Sequence, residues 1–238
     1  MIKAYWHLAN NVGDTLTQPI LQHFTGQRVK LARRGAREKV LGVGSVMTAL
    51  RARDVVFGTG CIRRGIVEAP EGVKFLAVRG PLTRAMIKGA KVPEVYGDPA
   101  LLLPLMYPVR KEKKTHDLGL IPHHVDEKTQ AFLDAKQTLE FLLGEEQVKV
   151  IDVRLPWPEF VVEVARCRRV ISSSLHGLVI AEAYGVPAEW SEWSDRVIGK
   201  GFKFRDYFAA TGRANEGPGP LKPIEPNLLQ NIQEGLLR

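Results

Sequence analysis

From Val170 to Trp190 the chain spells out a single β-α-β unit, and that unit narrows the folds open to it. Val170-Ile171-Ser172 reads as a short apolar strand that stops in Ser172, Ser173 and Ser174, followed by His176 and Gly177. Leu178 to Tyr184 reads as a helix closed by Gly185, and Val186 to Trp190 as the next strand. A strand, a crossover helix and a parallel strand make the building block of sheets with helices on both faces. The unit puts three serines and His176 at a strand's carboxyl end and a helix's amino end, where open α/β sheets bind ligands. Free N–H groups and the helix dipole favour an anion there. The spacing therefore predicts a phosphate or carboxylate pocket with an imidazole at its edge. These residues equally allow a plainer outcome, in which Ser172 to Ser174 cap the helix and His176 is buried.

The same alternation runs through the whole chain. Ile2 to His7, Val29 to Leu31, Lys39 to Val43, Asp54 to Phe57 and Lys74 to Val78 read as strands, with helices at Leu16 to Phe24 and Pro81 to Lys88. A second set follows: strand Leu118 to Pro122, helix Lys128 to Leu143, strand Lys149 to Asp152, helix Pro158 to Cys167 and strand Arg169 to Ser172. The pattern predicts an α/β protein of two Rossmann-like domains facing a cleft, similar in plan to GT-B enzymes. Residues 1–107 form the first domain, 108–116 a basic linker, and 117–205 the second domain. Residues 206–238 form a tail, with 211–226 wandering over the surface and Asn227 to Leu236 as a closing helix.

With 238 residues and a formal charge of +8, the chain expects anionic company. Much of the excess lies in Arg28 to Arg37 with Arg51 and Arg53, and in Arg110 to Lys114. No nucleic-acid module is visible, so the expected anions are small phosphorylated substrates and the face of an acidic membrane touched peripherally. Cys61 and Cys167 make no disulfide framework, no spacing suggests a metal site, and no apolar run reaches the ~18 residues of a membrane helix. No signal peptide is visible, and the expected location is the cytoplasm, extending to the inner face of the membrane.

Other strand ends carry usable chemistry. Asn11 and Asp14 follow the first strand and can contact ligand hydroxyls or cap the next helix. Gly58-Thr59-Gly60 lets backbone approach a ligand closely. Arg79, in Val78-Arg79-Gly80-Pro81-Leu82-Thr83, can grip a carboxylate or phosphate, or bridge the domains as an ion pair. Asp98 can act as a base or cap the turn that Pro99 opens. Of the adjacent His123 and His124, which should point in different directions, His123 is the one expected to face a cleft. Trp190 and Trp193 are expected to pack.

In order, Asn11-Val12-Gly13-Asp14, Gly58-Thr59-Gly60, Val78 to Thr83, Gly97-Asp98-Pro99-Ala100, Leu118 to His123, Ile171 to Gly177 and Ala183 to Pro187 resemble the polysaccharide pyruvyl transferase family, most closely its ketal-forming branch. The resemblance implies phosphoenolpyruvate as donor, a saccharide acceptor that can be lipid-linked, and no resident cofactor or metal. Many members carry Arg-Leu-His-Gly where this chain has Ser174-Leu175-His176-Gly177, so the arginine's role does not carry over.

On this reading Ser172, Ser173, Ser174 and Gly177 hold the phosphate at the helix start and Arg79 a second anionic group. His176 is the acid, kept charged by the phosphate, and His123 or Asp98 the base. Two other functions share the architecture. A nucleotide-sugar glycosyltransferase would use Glu182 on the ribose, and a two-lobed sugar-binding protein would bind without turnover.

Overall fold

The computed structural model describes residues 1–8, 11–109, 113–214 and 217–238. Asn10, and Arg110 to Glu112 of the predicted linker, lie outside them. The first half runs β1 (Ile2–Tyr5), α1 (Val12–Thr15), α2 (Thr17–Thr25), β2 (Val29–Leu31), β3 (Val40–Leu41), β4 (Val55–Phe57), β5 (Val67–Glu68), β6 (Lys74–Ala77), α3 (Pro81–Met86), β7 (Ile87–Lys88) and α4 (Leu103–Met106). The second runs β8 (His116–Ile121), α5 (Gln130–Leu143), β9 (Val148–Val150), α6 (Trp157–Ala165), β10 (Cys167–Ser172), α7 (Leu175–Ala183), β11 (Ala188–Trp190), α8 (Phe202–Ala210), β12 (Gly219–Pro220) and α9 (Pro226–Leu237).

The protein is mixed α/β with two five-stranded sheets, ordered β2-β1-β3-β4-β6 and β12-β11-β10-β8-β9. Every pairing in them is parallel except that of β12, which runs antiparallel along β11. In the first sheet, β2 lies on one side of β1 and β3 on the other. In the second, β9 and β10 flank β8 in the same way. At each of these reversals the connections leave in opposite directions and open a crevice at the strands' carboxyl ends. The crevices fall between the loops after β1 and β3, and between those after β8 and β10.

The largest apolar core is shared between the halves. Val12, Leu16 and Ile20 meet Phe160, Leu178, Val179, Tyr207 and Phe208, and the backbone joins too, Val12 N–H donating to Val153 O at 2.6 Å. Helix α7 is buried on nearly all sides, as apolar Leu175 and the run Leu178 to Ala181 require. α9 returns to the first half, where Ile232 and Leu236 close over Gly97 and Gln233 Nε2 donates to Leu101 O at 2.7 Å.

Three expectations are corrected. The helix from Pro81 ends at Met86, and Ile87–Lys88 turns extended to pair in parallel with β5. α7 begins at Leu175 rather than Leu178, taking His176 and Gly177 into its first turn. Residues 211–226 do not merely wander over the surface. Thr211 and Arg213 are buried, and Arg213 is held by ion-pair contacts to Glu182 and by Lys222 O at 2.8 Å.

Candidate functional site

Both crevices open into one cavity of about 230 Å³. The first sheet's loops supply His7, Asn11, Asp14 and Ser45 to its wall. The second sheet's supply His123, His124, Ser174 and His176, while the loop before α8 adds Arg196 and the first turn of α8 adds Lys203.

The serine triplet is divided in its work. Ser172 Oγ lies 2.9 Å from both Ile121 O and Ser174 O and accepts from Ser174 N–H, which ties the end of β10 to β8. Ser173 Oγ accepts from His123 N–H at 2.9 Å and so fixes the neighbouring loop. Only Ser174 reaches the cavity wall, and no serine hydroxyl caps α7. Helix capping, the plainer reading of these residues, is therefore corrected. The first-turn N–H groups have no side-chain acceptor, which is how a helix start receives an anion. Gly177 faces away, because a Cβ there would lie 2.3 Å from Ser172 Oγ.

His176 is nearly enclosed, at 8% exposure, yet belongs to the cavity wall. Behind it Asp98, fully buried, uses one carboxylate oxygen to cap Ala100 N–H at 3.0 Å and aims the other at His176 Nε2 from 3.4 Å. Both facing atoms lack any other partner. A carboxylate there fixes the orientation and tautomer of the ring. On its Nδ1 side the ring rests on Gly13, where a Cβ would stand 1.8 Å from Nδ1. The Gly13→Ala protein is thus expected to lose about a hundredfold in turnover as the ring is forced out of place, since misplacement by ~1 Å costs that much. Steady-state kinetics of the folded variant checks it.

Arg79 is withdrawn from the cavity. Its Nε and Nη2 meet Asp206 Oδ2 at 3.1 and 3.0 Å, Nη1 donates to Ser45 Oγ at 2.8 Å, and Nη2 donates to Cys61 O at 2.6 Å. Thr83 adds N–H and Oγ–H donors to Asp206, at 2.8 and 2.6 Å. Gly80 lets α8 approach, for a Cβ there would be 1.9 Å from Asp206 O. The Arg79-to-Thr83 motif is thus a socket for α8, and of the two readings its sequence allowed, the ion pair is the one formed. Gly60 packs under the guanidinium, Gly58 turns at φ +82° against Pro99, and buried Thr59 bridges Gly44 O and Val46 N–H. These three pack the neighbouring loops together and line no part of the cavity.

The sequence profile of the polysaccharide pyruvyl transferase family matches residues 57–193, more than half of the chain. The chain belongs to that family. It is also 28% identical over 182 residues to the uncharacterized protein L143 of Acanthamoeba polyphaga mimivirus, an alignment covering 71% of this chain and 59% of that protein. The chain thus spans about three-fifths of the length of that relative.

The pyruvyl transferase match ends before Arg196 and Lys203 and begins after His7, Asn11, Asp14 and Ser45, so much of the cavity wall lies outside the matched span. Sequence reasoning missed Lys203, Arg196, His7 and Asp126. Burial, helped by the charge of Arg79, lowers the Lys203 ammonium to about 8, against the pull of Asp14 and Asp126. Burial raises the Asp14 carboxyl, while His176, His7, Lys203 and His124 oppose the rise. Asp126 is fully buried, with one oxygen held by Ser194 Oγ–H and the other unpartnered. The two adjacent histidines do not diverge as expected. They sit in a turn rather than a strand, and both line the cavity with ring centroids 4.2 Å apart. Burial and the nearby Lys203 and His124 lower His123 to about 3, leaving its imidazole neutral.

The remaining candidates are accounted for by packing. Trp190 stacks on Phe204 and Trp193 packs on Phe132. Burial raises the thiols of Cys61 and Cys167 to about 11, so neither is a thiolate near neutrality. Glu182 is taken up by Arg213 and by Tyr207 O–H at 2.7 Å, which removes the ribose contact a nucleotide-sugar enzyme would need. Among the described residues no three His, Cys, Asp or Glu side chains are grouped to hold a metal ion, and no helix is long and apolar enough to cross a membrane.

Proposed function

We propose that the cavity binds phosphoenolpyruvate and transfers its enolpyruvyl carbon skeleton to two hydroxyls of one sugar, forming a pyruvate ketal and releasing phosphate. The observation that carries the reading is the position of His176. It lies in the first turn of an uncapped helix, on a cavity wall, with a buried carboxylate behind it. Family membership supports pyruvyl transfer to a polysaccharide; the donor, the ketal and the residue roles are our reading. We read the two sheets as two Rossmann-like lobes in a GT-B-like arrangement. The excess positive charge would suit an acceptor carried on lipid at an acidic membrane face.

His176 gives a proton to the methylene carbon as a sugar oxygen bonds to C2, and the hydroxyl's proton passes to neutral His123. Phosphate then leaves C2, the second hydroxyl adds there, and the ring closes. Of the two hydroxyl protons, one restores His176 and the other departs on phosphate. Asp98 orients the imidazole rather than acting as the base. Ser174 and the first-turn N–H groups of α7 receive the phosphate, while Ser172, Ser173 and Arg79 brace the wall from behind.

Phosphate release from phosphoenolpyruvate in the presence of galactosides, glucosides and mannosides tests the reading. Release with at least one class is expected. No release with any, together with thermal stabilisation by a UDP-sugar and not by phosphoenolpyruvate, would return the protein to the glycosyltransferase alternative. A second check isolates Asp98. Asp98→Asn keeps an oxygen to cap Ala100 and should leave Tm nearly unchanged, but lower kcat about a hundredfold, the low end for losing acid catalysis. An unaltered kcat would remove the carboxylate from the reaction.

A further inference from the structure

Most cations near the cavity are already engaged. Arg79 is spent on Asp206, Ser45 and Cys61, and His123 is neutral. Arg196 lines the mouth from an exposed loop. Lys203 differs from all of these. It lines the cavity half-buried in the first turn of α8, and among the described residues its ammonium makes no hydrogen bond or ion pair. Its Nζ stands 5.4 Å over the ring of Phe204. A cation taken out of water with no carboxylate on it is costly unless something anionic arrives to meet it. Nor is it left there by accident of a loose helix. Asp206, one turn along α8, is locked to Arg79 and Thr83, and that lock sets where Lys203 stands.

We infer that Lys203 is the principal binding residue for the phosphate group of the donor, facing it across the cavity from Ser174 and the start of α7. The inference rests on the proposed phosphoenolpyruvate chemistry and adds to it a residue outside the segment matched by the family. An ammonium is a point charge suited to a phosphate dianion, and it needs no planar partner as a guanidinium does. The groups around it fit that task. Asp14 on α1 and Asp126 in the turn after β8 attract it without neutralising it in a contact, and Arg79 at the end of β6 repels it.

Calorimetric titration of the full-length protein with phosphoenolpyruvate, and separately with inorganic phosphate, tests this in wild type, Lys203→Met and Lys203→Arg. Lys203→Met is expected to weaken both ligands about 10- to 100-fold, the worth of one charged hydrogen bond. Lys203→Arg should keep both within a few-fold. Wild-type affinity should fall as pH rises through about 8, where the ammonium loses its proton, while Lys203→Arg holds its affinity over the same range. That contrast separates a charge contact from a structural role. If wild type binds phosphoenolpyruvate and Lys203→Met binds both ligands equally well, the inference fails and the proposed function stands. Weakening of phosphoenolpyruvate alone would place Lys203 on the carboxylate and overturn the phosphate assignment. A wild type that binds neither ligand takes down the proposed function and this inference with it.

Discussion

Replacing His176 by Ala is expected to reduce phosphate release from phosphoenolpyruvate by about 10³-fold or more, with Tm little changed. The magnitude is that of a positioned general acid, for which removal costs roughly 10²- to 10⁴-fold. The ring's surroundings set the expectation of an intact fold. Asp98 Oδ2 and His176 Nε2 are 3.4 Å apart and bond to nothing else, so truncation leaves one buried carboxylate oxygen short of a partner it held only loosely. Asp98→Asn in the same background should then have almost no further effect on rate, because its contribution passes through the ring. Turnover near that of wild type in His176→Ala would show that the proton comes from elsewhere, and His123 would be the next side chain to replace.

Asp206→Ala is expected to be the most destabilising single change in the chain's second half, by about 3–5 kcal/mol, the usual cost of stranding a buried charge. For a protein of this size that corresponds to a fall in Tm on the order of 10 °C. Arg79 would be left fully buried beside Ser45 and Cys61 O with no counter-charge, and Thr83 would lose the acceptor for two donors. The double variant Arg79→Met with Asp206→Leu removes both charges together and should recover part of the loss. Thermal denaturation of the three proteins decides it. If the double variant is no better than Asp206→Ala alone, stranded charge is not the cause. Because Lys203 lies one turn before Asp206 on α8, the single variant should also weaken phosphoenolpyruvate binding.

How far the sequence could be read depended on how local each determinant is. The parallel-sheet rhythm and the turn holding His176 were legible because they follow from side-chain period and from hydroxyls at a strand end. The start of α7 was misjudged because Gly177 reads as an interruption. Its absent side chain is needed instead so that Ser172 Oγ and Ile121 can pack against the helix. Arg79 announced a charge at a strand end, but its partner lies 127 residues further on, with nothing near either to announce the pairing. Lys203 sits between buried Phe202 and Phe204, and only the tertiary structure separates it, on the cavity wall, from the exposed cations Lys200 and Arg205. The paired histidines were expected to diverge, as on a strand. Beyond the end of β8 the chain turns, so that alternation no longer applies.

The clasp of α9 on the segment beneath Asp98 bears on when the protein gains its chemistry. Ile232 and Gln233 grip a stretch near residue 100, contacts that span over half of the polypeptide and close late because distant segments must first find each other. While the chain is being synthesised, the imidazole's wall can take shape before its supporting carboxylate is braced. Competence therefore waits on the docking of α9, and local opening of that helix would be felt first as slower turnover rather than as unfolding.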